Sequence, residues 1–412
     1  MLVWNIFTDT VQQVTYSDLN GELRGFPHDI PSDVEKIEIR KSKIRTIDYI
    51  EVFTSLRTFI FTTNALEEFP NFSNISATVK VIRLTNNKIR EVQCIPKLPC
   101  LVTFDLSGND LTEIPNLSNV STSLKRLYLS RNDIMKVENL PKIATLELIN
   151  LSYNSLTEFP DLTNMAGSLY QLYIEQNLFP KVDSLKNCTA LKVLVTGGRS
   201  LVEFPDLSDV SSHLEEYYLT HSTISSVGYM PKMVKLKTLV LNNNQLRTFP
   251  NLTNLTSALA NLDVSENEIR HIEMMPKMIY LEDIKLNSNR LTEFPDFSNI
   301  STTLCRLELF NNRINYIPER RLSTLTSLNY LDIRDNPLTS LPNFCYMNTT
   351  LELLLNSQTF ICDWQMVFIK LTETYNKIVY SDQLPRCDKP SYFAMKSWKE
   401  ITVFDLMNET GL

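Results

Sequence analysis

Four histidines (His28, His213, His221 and His271), seven cysteines and a few adjacent acids such as Glu67-Glu68 are what this 412-residue chain offers for catalysis or metal binding. A zinc site needs several soft donors brought together by short spacings, and no CxxC pair or histidine-rich cluster provides them. No histidine stands at a nucleophile–base spacing from a serine, cysteine or aspartate. The acid pairs read as solvated turns. No catalytic residue, metal ligand or cofactor is assigned, and no enzyme is expected. Tyrosine and charge point elsewhere. Tyr128, Tyr173 and Tyr218 stand 45 residues apart, with Tyr153 and His221 close by. Arg83, Arg126 and Arg131 precede or accompany them, and Asp263, Asp283 and Glu308 follow. Rigid aromatic anchors between fields of opposite charge have the composition of a protein-binding patch. These residues are the candidate ligand-binding set. The plainer alternative is that duplication copied one tyrosine three times to no purpose.

The 45-residue spacing belongs to the whole chain. An aliphatic residue opens each unit at Val34, Leu56, Val79, Leu101, Leu124, Leu146, Leu169, Leu191, Leu214, Leu236, Leu259, Leu281, Leu304 and Leu328, in steps that alternate between 22 and 23 residues until the last. Within each unit the first part alternates as a strand does, since every second side chain of a strand shares a face. LVTFDLSGNDLTEI, from Leu101 to Ile114, is the type unit, and Asn109 marks its turn. One such repeat cannot bury its apolar side alone, so neighbours must stack into a continuous core. An amide at the turn supplies both a donor and an acceptor for backbone that stacking would bury. The asparagine column is therefore read as structural. Ser42, Arg199 and Ser222 break it, and Gly197-Gly198 precedes the second break, so an irregularity is expected there.

The pattern LxxLxLxxNxL, repeated fourteen times with a degenerate last copy, resembles the leucine-rich repeat family. The resemblance implies an α/β-type repeat solenoid: a horseshoe with a concave parallel β-sheet and convex loops or 3₁₀ turns. It also implies that the non-leucine strand positions line an extended recognition surface. Three regions follow: an N-terminal cap over 1–33, about 15 repeats in 45-residue pairs over 34–361, and a C-terminal cap over 362–412. LRGFPHDIPSDV, Leu23–Val34, resembles the end of the cap of extracellular members, but no cysteine precedes Cys94, and the reading favoured is a start within a longer protein. Cys362-Asp363-Trp364 and RCDKPSYFAMKSWKEI resemble a C-terminal cap, which implies one bridge, Cys362–Cys387, worth about 3 kcal/mol by closing its loop. Cys94 and Cys100 are near enough in sequence to bridge, and the pairing of Cys188, Cys305 and Cys345 is left open.

One half of each pair reads EFPNFSNIS or a variant of it, and carries seven N-x-S/T sequons, at Asn71, Asn74, Asn116, Asn119, Asn251, Asn254 and Asn299. These are candidate glycosylation sites of a secreted protein. Asp161, Asp206, Asp209 and Asp296 share the same columns, which suits turn chemistry instead. Asn150 is a further sequon, placed between Tyr128 and Tyr173 on the same sheet, where a glycan would obstruct the patch. The other half reads IPK, LPK or MPK.

A net charge of −7 offers no bulk attraction for nucleic acid. No run of about 20 apolar residues encodes a membrane span, although a longer native form has room for an anchor. The expectation is a recognition protein, extracellular or on the cell surface, that binds a protein or glycan ligand in adhesion, matrix organisation or innate recognition. The alternative is an intracellular scaffold of the same architecture, with reduced cysteines and unused sequons.

Overall fold

The computed structural model describes residues 2–5, 13–17, 23–344 apart from 76, 139, 184 and 274, and then 347, 351–355, 359–361, 377–380, 386–389, 393, 396 and 400–410. The chain forms two compact units: Met1–Leu201 with Pro205–His213, and Val202–Phe204 with Leu214–Leu412.

In the first unit each repeat contributes one short strand: β3 (Lys36–Arg40), β4 (Thr58–Thr62), β5 (Val81–Arg83), β6 (Thr103–Asp105), β7 (Arg126–Tyr128), β8 (Leu148–Asn150), β9 (Gln171–Tyr173) and β10 (Val193–Gly197). They pair in parallel, each with its chain neighbours. The sheet begins earlier than the first repeat. Strand β2 (Gln13–Ser17) lies parallel to β3, with Val14 against Ile37 and Tyr16 against Ile39, and β1 (Leu2–Asn5) runs antiparallel to β2. Val14 and Tyr16 are buried, so the same alternation operates there on a stretch without the repeat signature.

The second unit repeats the arrangement with β11 (Glu216–Thr220), β12 (Thr238–Val240), β13 (Asn261–Asp263), β14 (Asp283–Lys285), β15 (Arg306–Glu308), β16 (Tyr330–Asp332) and β17 (Glu352–Leu355). Strand β18 (Thr359–Ile361) pairs with β20 (Arg386–Lys389), and β19 (Lys377–Tyr380) joins β17 in parallel. Among the described residues there are two short helices, α1 (Glu319–Leu322), in the lengthened repeat, and α2 (Val403–Thr410). 3₁₀ turns at Ser73–Ile75, Ser118–Val120, Ser208–Val210, Thr253–Leu255 and Ser298–Ile300 recur in the EFP half of the pair, on the return path from strand to strand.

The inward row is the leucine column. Leu101, Phe104, Leu106 and Leu111 are each at most 1 % exposed, as are Leu169, Leu172 and Ile174 three repeats on. Burying one such side chain contributes roughly 1.5–3 kcal/mol. Aromatic residues thicken the core where they replace leucine: Phe59 packs on Phe26, Phe61 and Phe72 at centroid distances of 6.2, 6.3 and 5.3 Å.

The asparagine column ties neighbouring repeats together. Asn109 Nδ2 donates to the carbonyls of Leu84 in the preceding repeat (3.0 Å) and of Leu106 in its own (2.8 Å), while its Oδ1 accepts from the Ile89 N–H (3.1 Å). Asn132, Asn154, Asn267, Asn289 and Asn312 make the same three bonds. The residue just before the asparagine turns the chain into it with a left-handed backbone, as at Asn86, Arg131, Tyr153 and Glu266, and Lys41 and His221 do the same before Ser42 and Ser222, with φ between 53° and 58° throughout. Each such residue costs on the order of 1–2 kcal/mol unless it is glycine, and the amide bonds that follow offset it.

The breaks in the column behave differently from one another. At Ser42 the next amide compensates: Asn64 Oδ1 accepts from both the N–H and the hydroxyl of Ser42, at 2.7 and 2.5 Å. Beyond Ser222, Asn244 still donates to Leu219 and Leu241, but its buried Oδ1 has no donor. Near the other break Gly198 has φ +134°, and a Cβ there would meet the Asn177 carbonyl oxygen at 3.1 Å. The division between the two compact units falls in this same stretch. Gly108 (φ +68°) sits instead in the ordinary left-handed column that side chains occupy elsewhere. Gly198→Ala is therefore expected to lose about 1–3 kcal/mol of stability, and Gly108→Ala far less once the Asn86 amide swings aside, as compared by chemical denaturation.

Candidate functional site

The side of each sheet opposite the leucines carries the non-leucine strand positions, and cross-strand register sets them in rows. In the first unit Arg83, Asp105, Tyr128, Asn150 and Tyr173 are successive partners along one row. Tyr128 and Tyr173 are half-buried, while Leu127 and Leu172 beside them are fully buried, as alternation requires. Two strand spacings separate the tyrosines, roughly 10 Å. Asn150 lies between them, and its Oδ1 accepts the Ser152 N–H at 3.0 Å. Arg126 is exposed in the adjacent row, where its partners are Thr103 and Leu148. Arg131 and Tyr153 occupy the left-handed column, and the Arg131 guanidinium rests 4.4 Å from the Tyr153 ring centroid.

Charge in this face is unevenly answered. Burial opposes ionisation of Glu38, but Lys36 and Arg40 on the same strand pair with it and hold its carboxyl below the usual range. Burial raises Asp105 despite hydrogen bonds from Ser107 and the nearby charge of Arg83. The second unit presents Tyr218 and His221 with the acids. The Tyr218 hydroxyl donates to Glu216 Oε2 at 2.9 Å, and His221 is exposed with φ 55°. Asp263, Lys285 and Glu308 share a row, and Asp283 stands one row away between Asn261 and Arg306. Arg306 is committed to Glu308 Oε1 (3.0 and 2.9 Å) and lies 3.5 Å over the Tyr330 ring. Arg334 grips Asp332, 1 % exposed, through two bonds of 2.9 and 2.6 Å. Burial raises Asp283, with repulsion from Glu308 and Asp263 adding to it. The ring of Tyr330 was not among the sequence candidates. Its signal was its place two residues before Asp332 on the same strand face.

The seven sequon asparagines separate into two chemical kinds. In Asn71, Asn116 and Asn251 the Oδ1 accepts the N–H of the residue two further on, each at 3.0 Å, and Nδ2 has no protein partner among the described residues. Asp161, Asp206 and Asp296 do the same with a carboxylate, and hydrogen bonds from Thr163, Ser208 and Ser298 hold all three below the usual range. In Asn74, Asn119, Asn254 and Asn299 the other end of the amide works: Nδ2 donates to the carbonyls of Ile50, Ile95, Met230 and Met275 at 2.7–2.8 Å. Asn164, outside any sequon, makes the same bond to Leu140. Ile95, Leu140, Met230 and Met275 are the residues that open the IPK, LPK and MPK motifs, so this bond locks the two halves of the 45-residue pair together.

Cys94, Cys100, Cys188 and Cys305 are free thiols, so the local bridge considered for Cys94 and Cys100 is not formed. Burial pushes the Cys188 thiol up to about 11. Cys387 is buried and disulfide-bonded, while Cys362 and Cys345 fall outside the described residues. Among the described residues no group of histidine, cysteine and acidic side chains is arranged to hold a metal, and no helix is long and apolar enough to cross a membrane.

No protein-family model and no curated protein matches the sequence. Solved structures do match the fold. YopM from Yersinia enterocolitica superimposes with a TM-score of 0.59 at 21 % identity, covering 87 % of this chain and 70 % of YopM. An internalin from Listeria monocytogenes gives 0.58 at 18 %, covering 78 % of this chain and 86 % of the internalin. A chain in the Toll–Spätzle complex from Drosophila gives 0.59 at 13 %, covering 94 % and 70 %. With the parallel strands, the leucine columns and the asparagine bonds, these likenesses define the chain as a leucine-rich repeat solenoid.

Asn119→Asp removes the donor to Ile95 and sets a carboxylate against its carbonyl, and should lose about 1–3 kcal/mol of stability; Asn116→Asp keeps its turn and should melt as the parent does. Folding raises the Asp105 carboxyl, so the folded state binds that proton more tightly than the unfolded chain. Its contribution is then lost as pH rises from the ordinary carboxylate range through the raised value. Asp105→Asn keeps an acceptor for Ser107, as Asn150 does for Ser152, and should raise the melting temperature at pH 7 more than at pH 3.

Proposed function

We propose that this chain is a non-enzymatic recognition protein that binds a protein or glycan ligand across the solvent face of its parallel sheet. The carrying observation is the row in which Tyr128 and Tyr173 flank Asn150. Both lie on the face opposite the core and are half-buried. Large aromatic side chains beside arginine are the residues that most often dominate binding energy. Tyr153 with Arg131 extends the same surface, and in the second unit Tyr218, His221, Asp263, Asp283 and Glu308 present a face of opposite charge. One similar fold belongs to a structure titled as the complex of Toll with Spätzle, a protein partner.

The reading places the chain outside the cell or on its surface, as part of an adhesion, matrix or recognition protein with caps over 1–33 and 362–412. The disulfide at Cys387, for which Cys362 is the proposed partner, supports it. So do the exposed sequons, and Asn71, Asn116 and Asn251 are the better acceptors because their Nδ2 is uncommitted. A second reading, an intracellular scaffold, draws on the four unpaired thiols. Intact mass of the natively expressed protein, with and without glycosidase, separates the two: no glycan together with seven free thiols would sink the extracellular reading.

Tyr173→Ala is expected to weaken ligand binding at least tenfold with little change in melting temperature. Leu172→Ala, one residue away on the core face, should cost about 2–5 kcal/mol of stability. Equal melting losses in the two variants would show that the assigned face is wrong.

A further inference from the structure

The partner's chemistry can be narrowed from the charge that the first unit leaves unanswered. Arg83, Arg126 and Arg131 are all exposed, and none of them is in an ion pair among the described residues. On the same sheet face Lys36 and Arg40 are instead matched with Glu38; what sets Arg83, Arg126 and Arg131 apart is that they are unpaired beside the tyrosine row. The one acid in the tyrosine row, Asp105, is a weak counterweight, because burial raises it and its carboxylate is taken by the Ser107 N–H. We propose that the face of β5–β9 docks an acidic polypeptide segment, whose carboxylates pair with Arg83, Arg126 and Arg131 while apolar side chains rest on Tyr128 and Tyr173. The proposal rests on the recognition reading above and deepens it.

Spacing favours a polypeptide over a sulfated glycan. Arg83 and Arg126 stand two strands apart in different rows, and Arg131 lies five residues beyond Arg126, past the strand end. At about 4.8 Å per strand and 3.3 Å per residue the arginine positions are separated by more than roughly 10 Å. They surround the aromatic row and do not form a dense cluster. Isolated guanidinium groups with rings between them match carboxylates separated along a chain by larger side chains, and each guanidinium donates to a carboxylate in a two-point bond. A polyanion of high charge density gains most from contiguous cations, which this face lacks. The second unit serves as an internal contrast, because Arg306 and Arg334 are already spent on Glu308 and Asp332 and the surplus there is acidic.

The test is selection of a random dodecapeptide display library on the full chain, followed by affinity measurement for the selected peptides. The expected pool is rich in Asp and Glu with interspersed aromatic or aliphatic residues. Binding should fall at least tenfold in the Arg83→Gln/Arg126→Gln/Arg131→Gln variant and weaken with salt, at an unchanged melting temperature. Glu319→Gln, exposed on α1 and outside the binding face, should leave it unaltered. A neutral or basic pool, no binders at all, or a heparin oligosaccharide that outcompetes every peptide overturns the acidic partner. Binding that is insensitive to the arginine variant but lost in Tyr173→Ala overturns this inference alone, and insensitivity to both overturns the recognition face as well.

Discussion

A buried side-chain amide, bonded at both ends to backbone in two successive repeats, is the interaction on which this structure depends. Stacking apolar coils would otherwise enclose carbonyl and N–H groups at every turn, each costing about 1–3 kcal/mol if left alone. Asn109 answers three of them, one in its own repeat and two in the one before. Because the partners span the interface, the amide stabilises stacking and the turn together. It also offsets the left-handed residue that must precede it, even where that residue is as bulky as Tyr153. Where the amide is missing, the ladder either improvises, as Asn64 does for Ser42, or leaves an acceptor bare, as at Asn244.

A second amide explains why the repeats come in pairs. Asn119 reaches back 24 residues to the Ile95 carbonyl, and its counterparts do the same for Ile50, Leu140, Met230 and Met275. The residue after Ile95, Leu140, Met230 and Met275 is proline, which fixes the chain direction and carries no N–H of its own. Where this position is asparagine, the irregular half of the pair has its carbonyl satisfied by the 3₁₀ half; Asp209 stands there in one pair and has no amide to donate. Asn164 makes this bond too, although no sequon exists there.

With core and turns satisfied in this way, the opposite face of each sheet is released from structural duty, and its residues differ from repeat to repeat. Tyrosine and arginine gather on the first unit, and on the second Arg306 and Arg334 are consumed by Glu308 and Asp332. The faces share a backbone and differ in charge.

Much of this was legible in the sequence. The 45-residue period, the inward leucines, the asparagine column and the outward tyrosines all follow from alternation within a strand and from repetition, which are local and copied many times. The irregularity near Gly197-Gly198 was legible too, because glycine and a missing asparagine coincide there. The left-handed column was missed, although Gly108, Asn86, Asn243 and Asn311 in it were its signal. The strands at Gln13–Ser17 and Lys377–Tyr380 carry no repeat signature and were invisible. What only the tertiary structure decided is which end of each amide is used and which charge is already paired. Asn116 and Asn119 look alike in a string of letters, yet one is held by an N–H two residues away and the other holds a carbonyl 24 residues back. Periodicity says which way a side chain faces; its hydrogen-bond and ion-pair partners lie one repeat away in space, and only the stacked chain brings them within reach.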